Sequence, residues 1–175
     1  MMITAIMWRE KMILSDRDLK QIIMGQGVYL VNPFNIEDLQ PCSIDLHLGE
    51  ELKTLNGKSI DLTQSSYKLK PHEFLLGSTM EKVHVPFDLM ARVEGKSTIA
   101  RLGVMIHITA GFIDSGFNGN ITLEIYNCSD REFELFHGDS ICQIAFETLS
   151  SPVETPYQGK YQNSDGTVLS KYEGL

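Results

Sequence analysis

The strongest constraint on this chain is a strict alternation of apolar and polar residues, Ile121-Thr122-Leu123-Glu124-Ile125-Tyr126. Side chains along a strand point to opposite faces, so Ile121, Leu123 and Ile125 share one side and Thr122, Glu124 and Tyr126 the other. Only a strand buried on one face suits that pattern. Ile44-Asp45-Leu46-His47-Leu48 repeats it and ends at Gly49. Further strands are expected over 74–85, 89–93, 105–108, 132–136 and 141–146, separated by turn residues such as Asn56-Gly57, Pro86, Gly116, Gly119 and Gly138. Many short strands at regular spacing predict an all-β sandwich or barrel. One helix is expected near the start, with Ser15 as its N-cap, Asp18 completing a capping box, Leu19, Ile22 and Ile23 as an apolar stripe, and Gly25 or Gly27 as its stop.

At 175 residues, 42% hydrophobic and 22% charged, the chain fits one globular domain with a real core. That domain is expected over residues 12–150. Residues 1–11, a short apolar stretch followed by charges, reverse the order of a signal peptide and are expected to be an N-terminal extension or an over-early start. From Ser151 the periodicity ends and a mobile tail, 151–175, is expected. A net charge of -8 argues against nucleic-acid or anionic-membrane partners, although a small basic pocket stays open to it. No apolar run approaches a membrane span of about 20 residues. Cys42, Cys128 and Cys142 are odd in number and widely spaced, which suits reduced, buried thiols in a cytoplasmic protein.

The segment Glu94-Gly95-Lys96-Ser97-Thr98 ends like a P-loop, but the glycine that motif needs five residues before Gly95 is Met90, inside an expected strand. A single helical turn after Gly95 would instead aim backbone amides at an anion, helped by Lys96 and the hydroxyls of Ser97 and Thr98. Ser97 and Arg101, four apart, would share a face of that turn. A plain solvated turn fits the spacing too. Glu124 reads either as a solvent-facing carboxylate or as an acid–base group, and Asp114 as a turn residue or a ligand. The five histidines form no metal-ligand pattern, and the H-x-E and P-C-x-x-C elements with which a zinc deaminase activates water are missing: Pro41-Cys42 leads into Ser43-Ile44-Asp45.

Several ordered motifs together resemble the dCTP deaminases of the trimeric dUTPase-like superfamily. They begin with Met12-Ile13-Leu14-Ser15-Asp16-Arg17-Asp18-Leu19 and Gln40-Pro41-Cys42-Ser43-Ile44-Asp45. They continue with the stretch from Glu94 to Gly103, His107-Ile108-Thr109-Ala110-Gly111-Phe112-Ile113-Asp114, the stretch from Gly116 to Glu124, and Pro156-Tyr157-Gln158-Gly159-Lys160-Tyr161. The resemblance implies a homotrimer of distorted jelly-roll β-barrels of the β-clip type, with active sites between subunits. It implies that Lys96, Ser97, Thr98, Ile99, Ala100 and Arg101 hold the nucleotide, with Lys96 standing where many members have arginine. Asp114 would bind the deoxyribose 3′-hydroxyl, and Thr122, Leu123 and Glu124 would read the base. Gln143 would contribute to binding, and Tyr157 and Lys160 of the tail would close over the ligand. Ser164, a shorter side chain, stands where the family usually has a glutamine.

The implied chemistry is zinc-free deamination of dCTP to dUTP, with Glu124 as general base and then general acid, and with Ser97, Arg101 and the Ala110 carbonyl placing the water. Mg²⁺ would ride on the triphosphate. Gly111-Phe112 resembles the members that carry dUTP on to dUMP and pyrophosphate. A single-function deaminase, a pure dUTPase and a non-enzymatic nucleotide-binding barrel are the competing readings.

Overall fold

The structure, a computed structural model, describes residues 12–173; the expected extension at 1–11 and the last two residues of the tail lie outside the described residues. The helix expected near the start is α1 (Asp16–Lys20), prolonged by a wider π-type turn over Gln21–Gly25. Ser15 Oγ caps it by accepting the Asp18 amide at 3.4 Å, a bond of a kind that contributes about 1 kcal/mol.

Strands then follow in chain order: β1 (Val31–Asn32), β2 (Leu39–Gln40), β3 (Ser43–His47), β4 (Glu51–Lys53), β5 (Ser59–Asp61), β6 (Tyr67–Leu69), β7 (Phe74–His84) and β8 (Leu89–Gly95). One helical turn, α2 (Ser97–Ala100), leads into β9 (Val104–Ile106), β10 (Phe112–Ile113), β11 (Asn118–Asn127), β12 (Phe133–Leu135) and β13 (Ser140–Thr148). The strands form two packed sheets and a small ribbon. The larger sheet runs β5-β4-β7-β11-β9, with β1 also on β7; the other runs β10-β8-β13-β3-β2; β12 pairs with β6. Every named pairing is antiparallel. The turn spacing predicted a sandwich or barrel, and the arrangement is the distorted jelly roll that the resemblance implied.

The alternation decides which face meets the core. Ile121, Leu123 and Ile125 are buried, while Thr122, Glu124 and Tyr126 are half-buried on the opposite face. Ile44 and Leu46 of β3, Val93 of β8 and Ile144 and Phe146 of β13 enter the same core from the second sheet. Six strands were not legible as such: β1, β2, β4, β5, β6 and β10 run two or three residues, too short to show an alternation. The strand expected over 105–108 stops at Ile106, because His107 takes a φ of 61° and turns the chain out of the ladder. The thiols need a correction. Cys142 is buried, and desolvation, helped by the charges of Glu81 and Asp45, pushes its pKa well up. Cys42, in the turn between β2 and β3, and Cys128, beyond the end of β11, are exposed instead, since both sit where strands give way to turns.

Leu123 is 0% exposed at the centre of the core. Leu123→Ala is expected to cost about 2–5 kcal/mol, because a cavity remains where the neighbours cannot fully collapse. Urea unfolding, read as a lowered midpoint at constant slope, checks it.

Candidate functional site

β11 is paired on both edges, with β7 and with β9, so its outward-facing side chains stand on a rigid floor. That floor opens into a cavity of about 850 Å³. Ala110, Phe112, Asp114, Thr122, Glu124, Tyr157 and Ser164 all line it, so much of the expected set converges. Phe74, Leu76, Ile113, Phe117 and Ile121 give it a largely apolar wall. Leu123, expected beside them, sends its side chain into the core instead, as alternation requires.

The carboxylate of Glu124 has one oxygen on the cavity side and one turned inward. Oε2 is buried and lies 3.0 Å from Nδ1 of His107, whose side chain is 3% exposed. Backbones hold the two residues together, since the His107 amide donates to the Glu124 carbonyl at 2.8 Å. The other ring nitrogen, Nε2, meets the Ala110 carbonyl at 2.9 Å. Gly111 follows, and a Cβ there would sit 2.7 Å from the Val93 carbonyl oxygen. The glycine therefore lets β10 approach β8 closely, where Val93 donates to the Gly111 carbonyl at 2.9 Å. Phe112 beside it is exposed at the cavity rim.

The remaining expected residues gather elsewhere. None of Lys96, Ser97, Thr98, Ile99, Ala100, Arg101 or Gln143 lines this cavity. Ser97, Thr98, Ala100 and Arg101 are exposed around α2, and Ile99 packs partly against the core. Lys96 caps α2 with extended backbone and reaches back to the second sheet, where its ammonium bonds Asp45 Oδ2 and, at 3.2 Å, Ser140 Oγ. Gln143 lies on β13 opposite Asp45, and its Oε1 accepts from Ser43 Oγ at 3.0 Å. Asp45 Oδ1 is buried with no hydrogen-bond partner. One chain thus carries two patches: a carboxylate at an apolar cavity, and a lysine, an arginine and hydroxyls around α2.

The tail, 151–173, forms no strand but is tied to the barrel. Tyr157 donates its amide to the Ser115 carbonyl at 2.8 Å, and its ring meets Phe117 at 6.0 Å between centroids. Gln162 Nε2 donates to the Gly116 carbonyl at 2.7 Å, while its Oε1 accepts the Asn118 amide at 2.9 Å. Ser164 bridges to Gly119, accepting the Asn120 amide on its carbonyl at 2.9 Å and donating its hydroxyl to the Asn120 carbonyl at 2.6 Å. Gly119, with φ at 144°, has no room for a Cβ, which would lie 2.7 Å from Ser164 backbone atoms. Lys160 is exposed, donates to the Lys171 carbonyl at 3.0 Å and does not line the cavity. Sequence reading gives no role to His107, Asp45, Asn120 or Gln162; for Asp45 and Asn120 the available signal is a polar residue inside a largely buried strand.

A family profile described as dCTP deaminase-like matches residues 13–149. A "dCTP deaminase, dUMP-forming" of Dictyoglomus thermophilum is 41% identical, the alignment covering 91% of this chain and 94% of that one. A protein of the same description from Methanosphaera stadtmanae is 39% identical, over 91% of this chain and 93% of its own. Among solved structures, the crystal structure of 2′-deoxycytidine 5′-triphosphate deaminase from Agrobacterium tumefaciens superposes with a TM-score of 0.67 at 20% identity, covering 79% of this chain and 49% of that longer one. The native EIAV dUTPase gives 0.50 at 20% identity, covering 75% of this chain and 93% of its own. At that identity the structural likeness speaks for the fold.

Ser164→Ala is expected to weaken the tail's hold on β11 by about 1 kcal/mol, the worth of one such hydrogen bond. Amide hydrogen exchange over residues 157–168 should then run about fivefold faster, with core strands unchanged.

Proposed function

The chain belongs to the dCTP deaminase-like family, and on that premise we propose that it deaminates dCTP to dUTP and carries dUTP on to dUMP and pyrophosphate. The observation that carries this reading is Glu124: a carboxylate half-sunk in an apolar-walled cavity, on the strand face where a base would lie. A phosphoanhydride hydrolase has no use for an acid–base group at that place. The curated relatives, which are dUMP-forming, support the second step.

Deamination needs water to add to C4 of cytosine while N3 gains a proton, and then the amino nitrogen to gain one and leave as ammonia. Glu124 moves these protons. The Ala110 carbonyl, already accepting from His107, has a second lone pair with which to hold the attacking water. Asp114, at the same cavity, suits the deoxyribose 3′-hydroxyl and, in the second step, orients a water in line with the α-phosphate. Thr122 and Glu124 read the base edge, and Tyr157 covers it. Ser164 is committed to the Asn120 carbonyl, so in this chain the position serves to dock the tail rather than to reach phosphate.

Lys96 to Arg101 and Gln143 form the second patch, which supplies the hydroxyls and cations for a triphosphate. Since one chain does not bring that patch to the cavity, we propose a homotrimer in which the α2 patch of one copy completes the cavity of the next. Mg²⁺, carried by the triphosphate, would withdraw charge from its oxygens. Among the described residues no helix is long and apolar enough to cross a membrane. Free thiols suit the reducing cytoplasm, which we propose as its compartment.

Product analysis tests the reading. With dCTP and Mg²⁺, ammonia, dUMP and pyrophosphate should appear together; dUTP accumulating without pyrophosphate would mark a single-function deaminase. Glu124→Gln keeps shape and hydrogen bonding but loses basicity, so ammonia release should fall by roughly 10²–10⁴-fold with dCTP still bound. Light scattering should give the mass of three 19.7 kDa chains; a fully active monomer contradicts the shared site.

A further inference from the structure

His107 and Glu124 face each other in a way that neither residue's expected role explains. Nδ1 and Oε2 are both buried, both lack a partner with hydrogen-bond geometry, and lie 3.0 Å apart. The Ala110 carbonyl can only accept, so Nε2 must carry a hydrogen. A flipped ring would place carbon atoms at both contacts, which fixes the orientation. A neutral imidazole with its hydrogen on Nε2 then presents a bare lone pair at Nδ1 to a carboxylate oxygen. Two buried acceptors left in that state cost on the order of 1–3 kcal/mol each. One proton between them removes both penalties, and a turn of the carboxylate about its soft terminal torsion aligns the bond.

The backbone around the pair is arranged for it. Ile106 pairs with Ile125, so His107 comes level with Glu124 just where β9 ends. Its φ of 61° swings the ring inward, a conformation uncommon outside glycine. The other titratable groups lining the cavity are Asp114, beyond β10, and Tyr157, Tyr161 and Tyr172 from the tail; no lysine or arginine is among the lining residues. In the proposed trimer, Arg101 of a second copy approaches from the open side.

We propose that His107 is the proton partner of Glu124, a positioning residue that shares one proton with Oε2 and makes the carboxyl group a relay. The proposal rests on Glu124 being the acid–base group of the deaminase. As water oxygen bonds to C4, its proton passes to the cavity oxygen of Glu124 and the Oε2 proton shifts to Nδ1. The C4–N3 π pair moves to N3, which takes the proton from the cavity oxygen while Nδ1 returns its own to Oε2. In the second half, the C4 hydroxyl proton follows the same route to the amino nitrogen. The C4–N bond breaks with its electron pair going to nitrogen, ammonia leaves, and C4=O forms. The pair holds one shared proton before and after each turnover, and Glu124 never carries the full change of charge.

Two variants and one spectroscopic readout test this on the full chain. His107→Asn suits a positive φ and keeps a hydrogen-bonding side chain, but has no basic nitrogen to take up and return a proton. His107→Gln keeps a reach toward Ala110. With dCTP, both should bind substrate with a KM within a few-fold of wild type while kcat falls at least tenfold and the pH dependence of kcat changes shape. In the wild-type protein, imidazole nitrogen NMR should show Nε2 protonated and Nδ1 in a strong hydrogen bond, a signature that Glu124→Gln alters. Near-normal kcat with an unchanged pH profile in His107→Asn, or a bare Nδ1 in the wild-type spectrum, overturns the relay and leaves Glu124 as base. Full ammonia release from Glu124→Gln instead overturns the base itself, and the relay with it.

Discussion

Everything at the site depends on β11 being held from both sides. Its ladder to β7 and its shorter ladder to β9 fix the strand's rotation, and rotation decides which residues face the core and which face the cavity. A slip of one residue would exchange Glu124 for Leu123 and empty both places at once. The burial of Ile121, Leu123 and Ile125 is therefore what aims Glu124. Core packing and the placement of the cavity carboxylate are two faces of one constraint here.

The same strand carries a second duty at its start. Its register against β7 shifts between Asn120 and Thr122, so that residues 79–81 bulge out of the ladder. The Asn120 side chain fills the gap, donating to the carbonyls of Thr79, Met80 and Glu81 at 2.9 to 3.3 Å. Asn120 itself pairs with Lys82 of β7, and its backbone N–H and C=O on the edge that β9 does not reach are what Ser164 engages. The irregularity that would look like a flaw in a sheet is thus the attachment point for the segment that covers the cavity.

The long strands were legible in the sequence because six or more residues of strand pattern leave little else to fold into, and β7, β11 and β13 lie over the expected stretches. Six of the short strands were not, since two or three residues carry no period, whereas β9 and β12 fall within or beside longer expected stretches. Glu124, Asp114 and Thr122 were findable from the motifs and do meet at one cavity. His107 sat in one of those motifs, yet its contribution depends on a backbone turn and a distance that spacing cannot express. The role of Ser164 was hidden for a similar reason: its partner is a backbone carbonyl 44 residues away, and a main-chain partner leaves no mark in a residue's identity.

The docking of the tail has one more consequence. Most of what holds residues 157–168 to the barrel is main chain against main chain, or a side-chain amide against main chain. Such bonds do not record which molecule supplied the segment. Wherever two barrels lie close enough for the linker after β13 to span the gap, the same contacts form with the tails exchanged, at no cost in bonding. Residues 157–168 thus make contacts that the corresponding segment of a second copy would satisfy equally well.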